Sequence, residues 1–502
     1  MLLPALAVIS SMHYEGDVAP TGGDFVDVPF EVPAGTVEIQ IAHGDGSDSV
    51  ILDWGVWDDT GAFRGWGGGN TEDAVIGVAE SSRSYRIGPI APGTWTLVIG
   101  KAKLDPTGGR YAVDVICRDD ATLPVRPRAA FDPAVLAPGR RWYKGDFHVH
   151  SDESGDASAT FDQIAALARM RGLDFVNLSD HNTDAQLGLA AAHQAGHPDV
   201  LFLRGAEITT YAGHGNAVGL PGYVDHRIGY RGRTIQAVLE DVAAQGALFI
   251  VNHPALDLGG NCIGCAWRHD ATPWERVAGL EIITGRWDVV ERLFTPQAIA
   301  LWDAQLDAGH RIAAIGGSDD HRAGEGTGAT DTPIGSPTTL VLADDLSEAA
   351  ILDGLRRGRT IVQLRGPDDP FVELTLARPG GGIAELGDEV AGVARAELTV
   401  HVVNPRGETV FAQLWRDGEK LDQVPVEGAD FTHTFADVPG AAPHRYRIEL
   451  IDDANRRIVV TSHIFVDGVA ASPEGCCSGS AGGTAALAGL ALAALLRRKR
   501  RP

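Results

Sequence analysis

Lys144-Gly145-Asp146-Phe147-His148-Val149-His150-Ser151 ends an apolar, strand-like run with two histidines on one side. Side chains alternate across a strand, so His148 and His150 point the same way and can share one metal ion. A lone His-x-His is a weak signal, but later stretches repeat the design. Apolar runs end in metal-ligand residue types at 175–181, at 200–207 with His214 close behind, at 248–253 and at 312–321. Between these runs the spacing predicts amphipathic helices near 161–171, 184–194, 234–245, 296–308 and 347–358. Strand and helix in strict turn mean a parallel sheet, and so many repeats favour a barrel over an open sheet.

The flanks read differently. Residues 24–118 show short alternating runs such as Val37-Glu38-Ile39-Gln40-Ile41 and Trp95-Thr96-Leu97-Val98-Ile99, separated by Gly, Pro and Asp turns, and are expected to be all-β. The Asp/Gly-rich stretch 43–48 reads as a turn cluster, with calcium binding as the sharper alternative. A Pro/Arg/Ala stretch at 119–140 reads as a linker. The helical period disappears after residue 368, and the strand-like runs of 369–467 suggest an immunoglobulin-like sandwich acting as spacer or binding module.

At 502 residues the chain is long enough for several domains, each with its own core. The net charge of −25 argues against a standing nucleic-acid partner, because tracking a phosphate backbone needs clustered Lys and Arg. Cys262 and Cys265 form a C-x-x-C with no second copy to complete a zinc ribbon, so a loop disulfide is the favoured reading if the chain is exported. Cys117 reads as a buried strand thiol. At the end of the chain Cys476-Cys477-Ser478-Gly479-Ser480 leads into an uncharged Ala/Gly/Leu stretch and then Arg497-Arg498-Lys499-Arg500-Arg501. A short apolar helix with a basic stop would hold 468–502 in a membrane, basic end in the cytoplasm. Leu2 to Ile9 is apolar but has no basic residue before it, so 1–23 reads as a truncated export signal and lead-in.

Asp146-Phe147-His148-Val149-His150-Ser151, Ser179-Asp180-His181-Asn182-Thr183, Asn252-His253-Pro254 and Gly317-Ser318-Asp319-Asp320-His321 resemble, in that order, the motifs of the polymerase-and-histidinol-phosphatase (PHP) metallohydrolases. The stretch from Gly205-Ala206-Glu207 to Gly213-His214-Gly215-Asn216 is similar to the CehA/McbA branch, which includes a carbaryl-hydrolase type. The likeness covers roughly residues 141–366 and implies a PHP-like distorted (β/α)7 barrel for 141–368. Pro92-Gly93-Thr94-Trp95-Thr96-Leu97 resembles a late strand of the pre-peptidase C-terminal-type β-sandwich. The tripartite tail resembles MYXO-CTERM sorting tails, which implies a protein of the cell envelope or surface.

His148, His150, His181, Glu207, His214, His253, Asp319 and His321 are too many ligands for one tetrahedral ion, and mixed N/O donors suit zinc, manganese or iron. The resemblance implies a first metal on His148, His150, Glu207 and Asp319. Glu207 would bridge to a second on His214 and His253, and His181 and His321 would hold a third. The family's usual Ser-Asp-Gly is here Ser154-Gly155-Asp156, so Asp156 is the candidate last ligand and Asp152 the fallback. Asp180 reads better as a hydrogen-bonding support than as a ligand. His269 and His310 read as surface residues.

Arg286 and Arg322 are candidates to meet an anionic substrate group, each with an ordinary exposed-loop alternative. Glu207, Asp319 and His321 are the catalytic candidates. A carboxylate-bridged metal pair lowers the pKa of a shared water and polarises the scissile bond, so hydrolysis is the expected reaction. No Gly-x-Ser-x-Gly elbow offers a covalent route. A phosphoester is the first substrate reading and a carboxyl or carbamate ester the second. A non-catalytic surface protein with structural metals, and a nuclease or proofreading unit, are weaker alternatives.

Overall fold

The computed structural model describes residues 8–44, 49–328, 331–404 and 406–469. The expectations for the first seven residues, for the core of the 43–48 stretch and for the sorting tail lie outside them. Among the described residues no helix is long and apolar enough to cross a membrane.

The amino-terminal module consists of two four-stranded antiparallel sheets sharing one core. Trp54 and Trp95 are fully buried there, and burial of side chains this size stabilises by about 2–3 kcal/mol each. The module starts inside the stretch expected to be a lead-in. Val8–Val18 is a strand paired antiparallel with Gly109–Arg118, because its alternating residues complete a sheet edge rather than an apolar signal helix. Cys117 lies buried and free on this partner strand.

The expected linker is tied down. Glu80 accepts hydrogen bonds from the Arg126 and Arg128 guanidiniums, Arg126 also pairs with buried Glu153, and the strand Ala137–Val149 begins inside the stretch. Polar and aromatic contacts lock the module onto the central region. Ser84 donates to the Glu153 carbonyl at 2.7 Å, Thr183 donates to the Ser84 carbonyl at 3.0 Å, and Phe63 stacks on Tyr223 with centroids 3.5 Å apart.

In the centre, Ala137–Val149, Phe175–Leu178 and Leu201–Leu203 are parallel neighbours. A second sheet runs Gly205–Thr210, Gly213–Val218, Leu248–Val251, Val277–Thr284 and Ala313–Gly317, its last three strands parallel. Parallel bridges join the two sheets, Val149 to Asp320 and His181 to Glu207. The strand pairings therefore form a closed circuit; the second bridge joins two ligand candidates, and the first lies between His148 and His150 on one strand and Asp319 and His321 on the other.

Helices Phe161–Met170, Gln186–Gln194, Ile235–Ala244, Thr295–Asp307 and Glu348–Arg356 lie where the spacing predicts them. Thr160, Thr234 and Ser347 cap three of them, and Thr160 forms a reciprocal box with Gln163. A further helix, Trp287–Leu293, which the spacing did not predict, precedes Thr295–Asp307.

The carboxy-terminal strands are only in part a separate sheet system, four of them forming a sheet of their own. Thr360–Gln363 pairs antiparallel with Arg457–Thr461, so one sheet runs from the central region into 369–469. Both strands are plain Val/Ile runs, and periodicity does not reveal which distant run pairs with which.

Candidate metal centre

Glu207 sits at the middle of the site. Its Oε1 lies 3.4 Å from His148 Nε2, 3.5 Å from His214 Nδ1 and 3.4 Å from His253 Nε2. Its Oε2 lies 2.9 Å from His181 Nδ1 and 3.7 Å from His150 Nε2. Asp319 Oδ1 stands 3.2 Å from His148 Nε2 and 3.1 Å from His150 Nε2. At the mouth, Asp156 Oδ2 is 3.3 Å from His181 Nε2 and 3.4 Å from His321 Nε2.

Every metal-ligand candidate of the sequence, Asp156 included, is thus in one cluster. Donor atoms within reach of one ion occur in the groups His148–His150–Asp319, His148–Glu207–His253 and His150–His181–His321. Asp152 belongs to none of these groups.

The backbone is specialised at the same places. His253 (φ 27°), Asp319 (φ 59°) and Asn182 (φ 51°) hold positive φ, a conformation that non-glycine residues keep only when the surroundings enforce it. Asp146, fully buried, accepts N–H bonds from His148, Ser318 and Gly335, tying the His-x-His strand to the loop carrying Asp319. Burial raises its pKa to about 6.

Most of the imidazoles have their outward nitrogen held. His148 Nδ1 meets Glu281 Oε1 at 3.0 Å, and His253 Nδ1 meets the Cys265 carbonyl at 3.1 Å. His214 Nε2 meets the Ile263 carbonyl at 3.1 Å, and His321 Nδ1 its neighbour's, Asp319, at 2.9 Å. Such partners fix tautomer and ring orientation in metal-binding histidines. Cys262 and Cys265 form a disulfide, and the two carbonyls that orient His214 and His253 lie within this loop. The side chain of Asn252 donates to Glu207 Oε1 at 2.8 Å.

Acids and imidazoles at the centre shift one another's proton affinity. Burial alone would raise the Glu207 and Asp319 carboxyls, yet the facing histidines hold both well below the usual range. Burial would lower His148 and His181, but the carboxylates outweigh it and raise both well above the ordinary value. His321 is raised to about 9 in the same way. His150 goes down to about 3, through burial and then through His321 and His181.

Glu281, Asp146 and Asn252 were not singled out by the sequence. For Glu281 a signal existed, a carboxylate inside an otherwise apolar strand. Asp180 is a support, as expected, but it holds the Ser151 N–H and hydroxyl at 2.7 and 2.8 Å rather than a ligand histidine. His269, read as a surface residue, lines the cavity over the site and meets the Thr210 hydroxyl at 2.8 Å.

The two arginines lie elsewhere. Arg286 pairs with Asp288 at the exposed start of helix Trp287–Leu293, and Arg322 is exposed; neither lines the cavity. An arginine beside a ligand strand need not turn inward, and Asp288 gives Arg286 a local partner on the outside.

No family model matches the chain, and no curated protein matches it. Among solved structures it is similar to a two-domain protein of Bacteroides vulgatus described as containing a PHP-like metal-dependent phosphoesterase. That likeness has 19% identity and a TM-score of 0.38, over 68% of this chain and 100% of the other. A protein of Bifidobacterium adolescentis described as a metal-dependent phosphoesterase is similar at 18% identity and a TM-score of 0.27, over 38% of this chain and 92% of the other. At these scores neither likeness bears on activity.

Proposed function

We propose that the chain is a metal-dependent hydrolase acting on phosphoesters through a di- or trinuclear centre. The observation that carries this is Glu207, a buried carboxylate whose two oxygens face different sets of imidazoles. Glu207 Oε2 and His148 Nε2 are buried and, although ring and carboxylate atoms stand 2.9–3.4 Å away, neither makes a hydrogen bond of good geometry, an arrangement that costs stability unless a cation satisfies them. Donors of this kind fit zinc, manganese or iron. Bound there, divalent ions supply Lewis acidity and acidify water near neutral pH.

The residues divide the work. His148, His150 and Asp319 hold one position, His214 and His253 another, with Glu207 between, and His181, His321 and Asp156 hold the mouth. Asp146, Glu281 and the 262–265 loop keep these groups from turning. The closed circuit of strand pairings supports the distorted (β/α)7 barrel reading, with ligands at one rim. The order of phosphoester before carboxyl ester rests on the motif resemblance. Export and membrane anchoring through 468–502 remain a proposal from sequence.

Purified protein loaded with manganese or zinc is expected to hydrolyse p-nitrophenyl phosphate or its bis ester, with two or three metal equivalents per chain. His148→Ala is expected to lose metal and activity together. Activity on naphthyl acetate alone would move the substrate to carboxyl esters. Inactivity on all three substrates with metal bound would overturn the hydrolase reading.

A further inference from the structure

The cavity above the metal-ligand cluster has a volume of about 570 Å³, room for a drug-sized organic group beyond the reacting ester. Its floor is His181, Glu207, His214, Asp319 and His321, and much of one wall belongs to the amino-terminal module. Phe25 and Ile51 from that module, with Tyr211 and Ile228 from the central region, are only half-buried and all face this space. Phe25 stacks on Tyr211 at 6.0 Å, and Trp66 backs the wall, its ring 4.5 Å from that of His226. Tyr211 is fixed by donating its hydroxyl to Asp53 at 2.7 Å. Among the described residues no lysine or arginine lines the cavity, whereas Asp24 and Asp53 do.

We propose that the amino-terminal module is the specificity wall of this site, selecting phosphoesters whose alcohol portion is uncharged and apolar or aromatic. The proposal rests on the hydrolase reading and adds the substrate class to it. Rigid aromatic walls bind flat apolar groups by burial and ring contact. A second anion on the alcohol, as in a nucleotide or a sugar phosphate acid, would meet Asp24 with no lysine or arginine lining the cavity to offset it. In the reaction the P–O bond to the alcohol breaks, water supplies the new oxygen on phosphorus, and the departing alcohol takes up a proton.

The test uses metal-loaded full-length protein with Phe25→Ala, Trp66→Phe and the exposed-site variant Asp24→Lys. Steady-state kinetics compare phenyl phosphate, glycerol 2-phosphate and 4-carboxyphenyl phosphate, and calorimetry follows binding of phenylphosphonate. Phe25→Ala is expected to lower the kcat/KM ratio of phenyl to glycerol phosphate about 10-fold, through KM, and to weaken phenylphosphonate binding similarly. Trp66→Phe should do so to a smaller degree. Asp24→Lys should raise the ratio of carboxyphenyl to phenyl phosphate several-fold.

If both ratios and phenylphosphonate binding stay as in the parent, the wall proposal fails while the hydrolase reading stands. If no phosphoester turns over, the phosphoester reading fails, and the phenylphosphonate affinities still decide the wall: weakened by Phe25→Ala they support it, unchanged they overturn it.

Discussion

Glu281 and His148 form a fully buried pair, with Glu281 Oε1 3.0 Å from the imidazole Nδ1. The other carboxylate oxygen accepts the His253 N–H at 2.8 Å and the Thr284 hydroxyl at 2.6 Å. One side chain thus orients ligand candidates from two strands. Glu281→Gln is expected to weaken metal retention about 10–100-fold, because an amide holds the ring less firmly and lowers its basicity. Metal content after dialysis against graded chelator measures this, and unchanged retention would show that packing alone orients His148.

Gly155 carries the loop of Asp156 against the amino-terminal module. A Cβ at this position would stand 2.5 Å from the Gly67 carbonyl oxygen and 3.1 Å from Asn70 Cβ. The contact is with backbone, so the loop or the module must move. Gly155→Ala is expected to cost about 1–3 kcal/mol of stability and to draw Asp156 away from His181 and His321. Thermal unfolding reads the first effect and metal stoichiometry the second. A variant with parent Tm and full stoichiometry would mean that the loop has slack.

Much of the centre was legible because strands have period two and their ends converge: His148 and His150 share a face, and His181, Glu207, His253 and Asp319 each follow an apolar run. Asp156 came from the resemblance alone, as the acid of a displaced Ser-Asp-Gly, and its Oδ2 stands 3.3 Å from His181 Nε2. Arg286 misled because its charge does not specify a direction, and Asp288, two residues on, holds it outside. Glu281 stands in an otherwise apolar strand, but nothing local says which histidine it faces. Phe25 and Trp66 looked like any apolar strand positions, and that they face a cavity of the neighbouring region is a fact of docking that no local pattern encodes. The same holds for the pairing of Thr360–Gln363 with Arg457–Thr461.

The 262–265 loop offers a separable effect. The Ile263 and Cys265 carbonyls meet the outer ring nitrogens of His214 and His253. Replacing both Cys262 and Cys265 by serine frees the loop while keeping its length. The closed ring is short, so global stability should change little compared with a long-range crosslink. The expected outcome is a local one: one metal equivalent binds about 10-fold more weakly, and the rest are retained. Equal weakening of all equivalents, or none, would contradict the assignment of this loop to the His214–His253 side.

Glu80 fastens the 119–140 stretch to the amino-terminal module, and its contribution should depend on pH. Its side chain is buried and accepts from Arg128 at 2.6 Å, from Arg126 at 3.0 Å and from the Arg126 N–H at 2.7 Å. Burial alone would raise the carboxyl, but the bonds from Arg128 and from the Arg126 and Ser81 backbones outweigh it and pull the pKa down to about 2. The folded-state value lies below the unfolded one, so the stabilisation is complete above about pH 4.5 and fades as pH falls toward 2. Glu80→Gln is expected to cost about 2–3 kcal/mol at neutral pH, with parent and variant converging in acid. Denaturant unfolding from pH 7 to pH 3 measures the gap, and a gap of constant size would place the loss in packing rather than in the charge of Glu80.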